Sequence, residues 1–230
     1  MKKLALLLVV PFILSISSCG MGKEIQAREA KEIINLIKEE AKKNPECLSY
    51  TKILTSKSEI IDDGIKSEVE IYDEIKRENS TFYTCYEYTK QSVTSTNTSY
   101  YYESDGKYYE NGTEIERTKY EDLVRVYNGF TLYTYYLDLV EIYVSSAING
   151  IKVGELTCYS NGDGNLTIVY VLQSNSKDET YYSKTTYQYD NYRFVYYEFE
   201  SEAKEDDNES EKQFRTESVK YKASIRNPFK

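Results

Sequence analysis

The chain contains no histidine and no tryptophan. Without imidazole there is no Ser-His-Asp triad, no histidine-liganded zinc and no histidine general acid or base. Catalysis would have to rest on carboxylates, Lys, Tyr, Ser or Cys. The motifs that organise such groups are missing as well: there is no G-x-S-x-G elbow, no P-loop and no dinucleotide fingerprint. A carboxylate pair for glycoside hydrolysis would have to be picked from 38 acidic residues, which singles out none. The expectation is a chain that is not an enzyme and carries no cofactor.

Cysteine is scarce, with four residues. Cys47, Cys85 and Cys158 follow Cys19, and three thiols allow at most one disulfide. No C-x-x-C pair is present, so a metal site is not expected. Small buried apolar residues are the favoured reading, with a Cys85–Cys158 bridge as the alternative. Basic residues are outnumbered, 29 against 38, for a net charge of −9. Such a surface repels phosphate backbones, which excludes nucleic acid as an expected partner.

Long apolar runs are confined to the start. Lys2 and Lys3 precede an apolar stretch, Leu4 to Ile16, that is too short to span a bilayer as a resident helix. Then come Ser17, Ser18 and Cys19, the layout of a secretory signal with a cysteine at its cut site. Ile16-Ser17-Ser18-Cys19 resembles the bacterial lipobox. The resemblance implies a diacylglyceryl thioether on Cys19 and cleavage before it. Two acyl chains hold a protein stably at a membrane, where one holds it only marginally. The expected organisation is a signal peptide over 1–18, a lipidated tether over 19–23 and one domain over 24–230. Its expected place is the outer face of the cell membrane, lipid-anchored and extracytoplasmic.

What is abundant is tyrosine, with 26 residues. Tyrosine forms strands well and joins an apolar body to a polar tip, which suits a large half-wet sheet. One helix is expected first. Ala27, Ala30, Ile34, Ile37 and Ala41 make a narrow apolar stripe, and Pro45 ends the segment. Strands are expected over 48–55, 57–62, 65–76 and 80–93, with Asp63-Gly64 as a hairpin turn and Asn79-Ser80 as another. Asp105-Gly106 and Asn111-Gly112 predict a meander in which Glu103 faces Tyr108, Tyr102 faces Tyr109, Tyr109 faces Glu114 and Tyr108 faces Ile115.

The period then changes. Thr118-Lys119-Tyr120-Glu121 fits a capping box for a helix that would stop at Asn128-Gly129. Leu132, Tyr135, Tyr136, Leu139, Ile142 and Tyr143 recur at helical spacing toward a second helix ending near Ala147. Strands return over 153–160, 165–173, 179–189, 192–201 and 212–223. Asp190-Asn191 is read as a turn, and the acidic stretch 201–212 as a solvated hairpin connection rather than a calcium loop. Strand 165–173 is apolar on both faces and so is expected to be central.

This order of elements resembles the lipoprotein-carrier fold of LolA and LolB, shared by mycobacterial lipid-transfer lipoproteins. The lipobox, the helix of 26–43, the strand runs of 48–117 and the last strands of 153–224 carry the resemblance. It implies an α+β fold: a curved, mostly antiparallel β-sheet, a half-barrel, wrapped around an N-terminal helix and a short helical insert. An apolar cavity on the concave side would then bind or carry a lipid or other apolar ligand, lined by Leu166, Ile168, Tyr170, Phe194 and Tyr196. The alternative is a surface protein that recognises proteins or glycans through exposed tyrosines such as Tyr100, Tyr102 and Tyr109.

Overall fold

The computed structural model describes residues 22–43, 48–126, 134–151, 154–162, 164–176, 179–205 and 209–229. The expected signal peptide, Cys19, Cys47, the expected Asn128-Gly129 stop and Leu132 lie outside the described residues. Alternating Thr, Val, Ile and Tyr with tight turns produces one antiparallel sheet of twelve strands, open and curved. In chain order these are β1 (Lys23–Ile25), β2 (Ser49–Asp62), β3 (Ile65–Glu78), β4 (Thr81–Lys90), β5 (Val93–Ser104), β6 (Lys107–Glu110) and β7 (Thr113–Ile115). After the helical insert come β8 (Glu155–Ser160), β9 (Leu166–Asn175), β10 (Thr180–Asp190), β11 (Arg193–Lys204) and β12 (Ser210–Lys220). Their spatial order is β1-β8-β9-β10-β11-β12-β2-β3-β4-β5-β6-β7. Three helices are described: α1 (Ala27–Lys43), α2 (Arg117–Val126) and α3 (Leu137–Ile148).

The β5–β6–β7 meander keeps the predicted register, including Glu103 opposite Tyr108 and Tyr109 opposite Glu114. Strand β9 sits between β8 and β10, so it is central as expected. Several details differ. The tether's last residue, Lys23, already belongs to β1 and pairs with Ser160. Segments 48–55 and 57–62 are one strand, because Ser56 pairs with Arg215 on one side and Ile71 on the other. Backbone pairing on both edges outweighs the polar side chains there. The capping box does not form. Tyr120 N–H bonds back to Glu116 O, so the helix starts two residues early, at Arg117, and Glu121 pairs with Arg117 instead.

The core lies where α1 and α3 cover one face of the sheet, here called the inner face. Ala30, Ile34, Ile37 and Ala41 of α1 are buried as the stripe predicts. In α3 the buried side is Leu137, Val140 and Val144, whereas Leu139 and Ile142 of the predicted stripe face solvent. The shift follows from Tyr136, which takes a left-handed φ of 60° and breaks the helix just before Leu137. Lys31 and Lys38 of α1 both donate to Glu141 of α3, and these partners hold its carboxyl below the usual range. Cys85 and Cys158 are free and buried, so the alternative disulfide is not made. Burial pushes the Cys158 thiol up to about 11.

Candidate functional site

Among the described residues, helix cover sits at one end of the long strands, near the turns that join β3 to β4 and β10 to β11. The tips of the β2–β3 and β4–β5 hairpins lie at the other end. Following the pairing from strand to strand shows which side chains share the inner face. They include Val219, Glu217 and Arg215 on β12; Tyr50, Lys52, Leu54 and Ile60 on β2; Ile71 and Asp73 on β3; and Tyr86 and Tyr88 on β4.

A charged cluster marks where the cover stops. The turn before α3, closed by Leu137 N–H donating to Thr134 O at 2.8 Å, drives two tyrosines onto the sheet. The Tyr136 ring stacks on Tyr197 at 4.5 Å, and Tyr189 Oη donates to the Tyr135 carbonyl at 2.7 Å. Tyr136 Oη then donates to Glu217 Oε1 at 2.8 Å. Glu217 is fully buried, accepts from the Arg215 guanidinium and faces Lys52 Nζ at 3.2 Å. Lys52 Nζ in turn lies 4.4 Å from the centroid of the Tyr135 ring.

Burial alone would raise the Glu217 pKa, but Lys52, Arg215 and Tyr136 together pull it below the usual carboxylate range. Asp73 moves the other way. Burial raises it, and the nearby Glu217 charge adds to the rise while Lys52 opposes it. The cluster therefore contains one carboxylate held ionised and one biased toward its neutral form.

Past this cluster the inner face continues without helix cover among the described residues. Ile71 lies directly opposite Tyr88, while Leu54 and Tyr86 flank Asp73. Leu54, Val69, Ile71 and Tyr88 are half-buried, and Tyr86 and Ile60 are exposed. The result is a strip of apolar and aromatic side chains leading away from a charged end.

The sequence-predicted ligand residues are divided. Leu166, Ile168 and Phe194 belong to one core cluster with Ile34, Ile37, Val140 and Val144, so helix side chains occupy the space beside them. Tyr170 stacks on Tyr143 at 4.2 Å. Tyr196 is on the opposite face. The register shifts between Gln188 and Tyr189, so that Gln188 pairs with Tyr196 but Tyr189 pairs with Phe194. The extra residue is a β-bulge, which cancels the alternation that would put Phe194 and Tyr196 together. Tyr196 Oη bonds Glu198 instead, at 2.8 Å.

Tyr100, Tyr102 and Tyr109 do share the outer face. Tyr102 stacks on Tyr109 at 5.1 Å but is itself buried, and Phe229 of the C-terminal segment packs 5.9 Å from Tyr100. Lys52, Asp73, Arg215 and Glu217 were not singled out from the sequence. Their one signal is Glu217, a charge two residues from Val219 and therefore on the same face as a core residue.

Described surface cavities are small. One of about 160 Å³ touches Leu166 among polar turn residues, one of about 240 Å³ lies by Tyr72 and Phe214, and one of about 260 Å³ lies by Arg77 and Phe82. Asp62, Asp63 and Glu209 bring carboxylate oxygens within 4.8 Å of one another at the hairpin tips. No helix among the described residues is long and apolar enough to cross a membrane.

No protein-family model and no curated protein matches the chain. Among solved structures, the S-type phycobiliprotein lyase CPES from Guillardia theta aligns over 74% of this chain and 86% of its own, at 7% identity and a TM-score of 0.21. A DUF1329 family protein from Desulfovibrio piger aligns over 84% of this chain and 91% of its own, at 10% identity and a TM-score of 0.14. Scores this low mean that backbones do not superpose over the aligned length, so neither likeness bears on what this chain does.

Proposed function

We propose that the chain is a lipid-anchored extracytoplasmic protein that binds or carries a lipid or other apolar ligand. The ligand lies on the uncovered inner face rather than in a cavity at Leu166 and Phe194. The observation that carries this reading is the strip of Leu54, Val69, Ile71, Tyr86 and Tyr88, which leaves the core uncovered and ends on the Lys52–Glu217 cluster. Apolar side chains there bury an acyl segment, and burial of apolar surface is the driving force. Lys52 and Arg215, the partly exposed cations where the strip meets the cluster, meet its polar head. The resemblance of Ile16-Ser17-Ser18-Cys19 to a lipobox supports the anchor, and two acyl chains would keep the domain at the membrane surface from which such a ligand is drawn.

The test is native mass spectrometry of the intact chain purified from its host. The expected result is a diacylglyceryl mass on Cys19, absent from Cys19→Ala, and a stoichiometric apolar molecule that Ile71→Lys loses. An empty chain, or a molecule retained by Ile71→Lys, overturns the proposal. The rival reading, a surface protein without a small-molecule site, draws support from the packing of Leu166, Ile168 and Phe194 under the helices. An empty chain would favour it.

A further inference from the structure

Strand β5 runs from Val93 to Ser104, but β6 pairs only with its Tyr101–Ser104 end. The next residue back is closed by the β6–β7 turn. Tyr100 N–H donates to Asn111 Oδ1 at 2.9 Å, and Asn111 N–H donates to Tyr100 O at 2.9 Å. From Val93 to Ser99 the strand is bonded to β4 on one side, and no described strand lies on the other. Val93 to Thr98 are all exposed. In an antiparallel ladder, alternate residues turn both backbone groups to the same side. Tyr100 turns both of its own toward Asn111, so Thr98, Thr96 and Thr94 each present an N–H and a C=O to the open side.

Open edges are usually blunted by Lys, Pro, a bulge or extreme shortness. This one has none of these. Its register with β4 is unbroken from Phe82–Tyr101 to Lys90–Val93. No charge or proline falls between Gln91 and Tyr102, in a chain that is 29% charged. The two strands that end the sheet follow the usual pattern. β1 and β7 have three residues each and carry Lys23, Glu24 and Glu114.

We infer that Val93–Ser99 is a dimerisation edge, at which β5 of a second copy adds as an antiparallel strand. A two-fold contact must be self-complementary. An uncharged strand meets that condition, because no like charges oppose one another when it is laid against itself. Threonine suits the contact too. On this face of the sheet Thr89 bonds Thr94 at 2.8 Å and Thr55 bonds Thr216 at 2.7 Å across strands. Room sets the register. Centring the pair on Thr96 would drive the copy's β4–β5 turn, Gln91-Ser92, against Tyr100, whose open side Asn111 already fills. Centring it on Ser95 leaves that turn beside Thr98 and Ser99. Ser95 then faces Ser95 of the second copy, Thr94 faces Thr96 and Val93 faces Asn97. The Thr94–Thr96 pairs exchange about four backbone hydrogen bonds. One strand pair is smaller than the about 1,200 Å² of a standard interface, so the dimer is reversible, with a Kd on the order of 100 µM. It rests on neither the anchor nor the lipid-binding reading.

The test is sedimentation equilibrium of the intact chain in density-matched detergent, from about 5 µM to about 500 µM. A monomer–dimer equilibrium is expected. Ser95→Lys and Ser95→Glu each set a like charge against itself, and each is expected to weaken the dimer about fivefold. Their equimolar mixture is expected to form a heterodimer at least as tight as the unmutated dimer. Ser95 is exposed, so both variants are expected to melt with the unmutated chain. A second arm uses cross-linking under mild oxidation. Ser95→Cys is expected to give a covalent dimer, because its Cα lies about 4.5 Å from its counterpart, within disulfide reach. Thr98→Cys, about 20 Å from its own counterpart, is expected to give none. A chain that stays monomeric throughout overturns the inference and leaves the edge to a segment of another protein. A mixture no tighter than either charged variant alone, or equal cross-linking at both positions, also overturns it. So do assemblies larger than a dimer, which would join β5 to a different edge such as Leu172–Asn175 of β9, beyond the end of β8.

Discussion

At one end of the long strands Ile168, Tyr187, Phe194 and Val219 lie under α1 and α3 with almost no exposure. At the other end the same sheet carries Ile60, Val69, Ile71 and Tyr88 with water beside them. Backbone pairing does not change between the two: β2 and β3 stay in register from Ser49–Glu78 to Asp62–Ile65. What changes is the layer above. Side-chain burial stabilises the covered end, whereas ladder hydrogen bonds and cross-strand charge pairs hold the uncovered one. Lys66 bonds Glu59 across on β2 and Glu68 on its own strand, both at 2.8 Å, and Lys57 bonds Glu70 across the pair at 2.7 Å. Pairs this exposed contribute little each. A strand thus stays regular well beyond the core it helps to build.

The sharpest way to break that contrast is to truncate one residue at each end. Phe194→Ala is expected to cost about 4 kcal/mol, because its ring is enclosed by Tyr135, Tyr136 and Tyr189 and leaves a cavity. Val69→Ala at the uncovered end is expected to cost about 1 kcal/mol or less, since water already reaches the site. Urea denaturation of both variants measures the difference, and similar losses would mean that the two ends share one core.

The boundary cluster comes next. Glu217→Gln is expected to cost about 3 kcal/mol near neutral pH, because it leaves Arg215 and Lys52 without their buried counter-charge. The sign of the pH dependence follows. A carboxyl with a lowered folded-state pKa contributes stability above its unfolded value, and that stability is lost as pH falls through the folded one. Glu217 therefore helps hold the fold at neutral pH and ceases to do so in acid. Asp73, raised in the fold, has the opposite sign: its penalty grows as pH rises from the unfolded value and is complete above the folded one. Asp73→Asn is expected to raise stability at pH 7 by no more than about 1 kcal/mol and to do nothing in acid, where the native residue is already neutral. Melting curves from pH 3 to 7 compare the two variants.

The smallest effect concerns the β4–β5 tip at the uncovered end. Gln91 and Ser92 occupy the turn with φ of 48° and 69°, where neither is the residue such a turn prefers. Ser92→Gly is expected to gain about 0.5 kcal/mol in the same denaturation experiment, and no gain would mean that this turn is not strained.

Residue order alone was sufficient for the local features. The α1 stripe, the Asp105-Gly106 and Asn111-Gly112 turns and their cross-strand pairs follow from spacing and turn chemistry, which act within a few residues. Strand β9 read correctly as central because both of its faces are apolar. Features that depend on distant partners were beyond that reach. One bulge across β10 and β11 parted Phe194 from Tyr196, and no local pattern in 192–201 announces it. The face that α3 buries was decided by Tyr136 meeting Tyr197, residues far apart in the chain. Glu217 became a buried ion only because β12 lies beside β2 and brings Lys52 over. Arg77 lost its solvent to Phe82 and Tyr120 in the same way. Local propensity acts through neighbours in sequence, but burial and charge pairing act through neighbours in space, and those exist only once the sheet has closed over its helices.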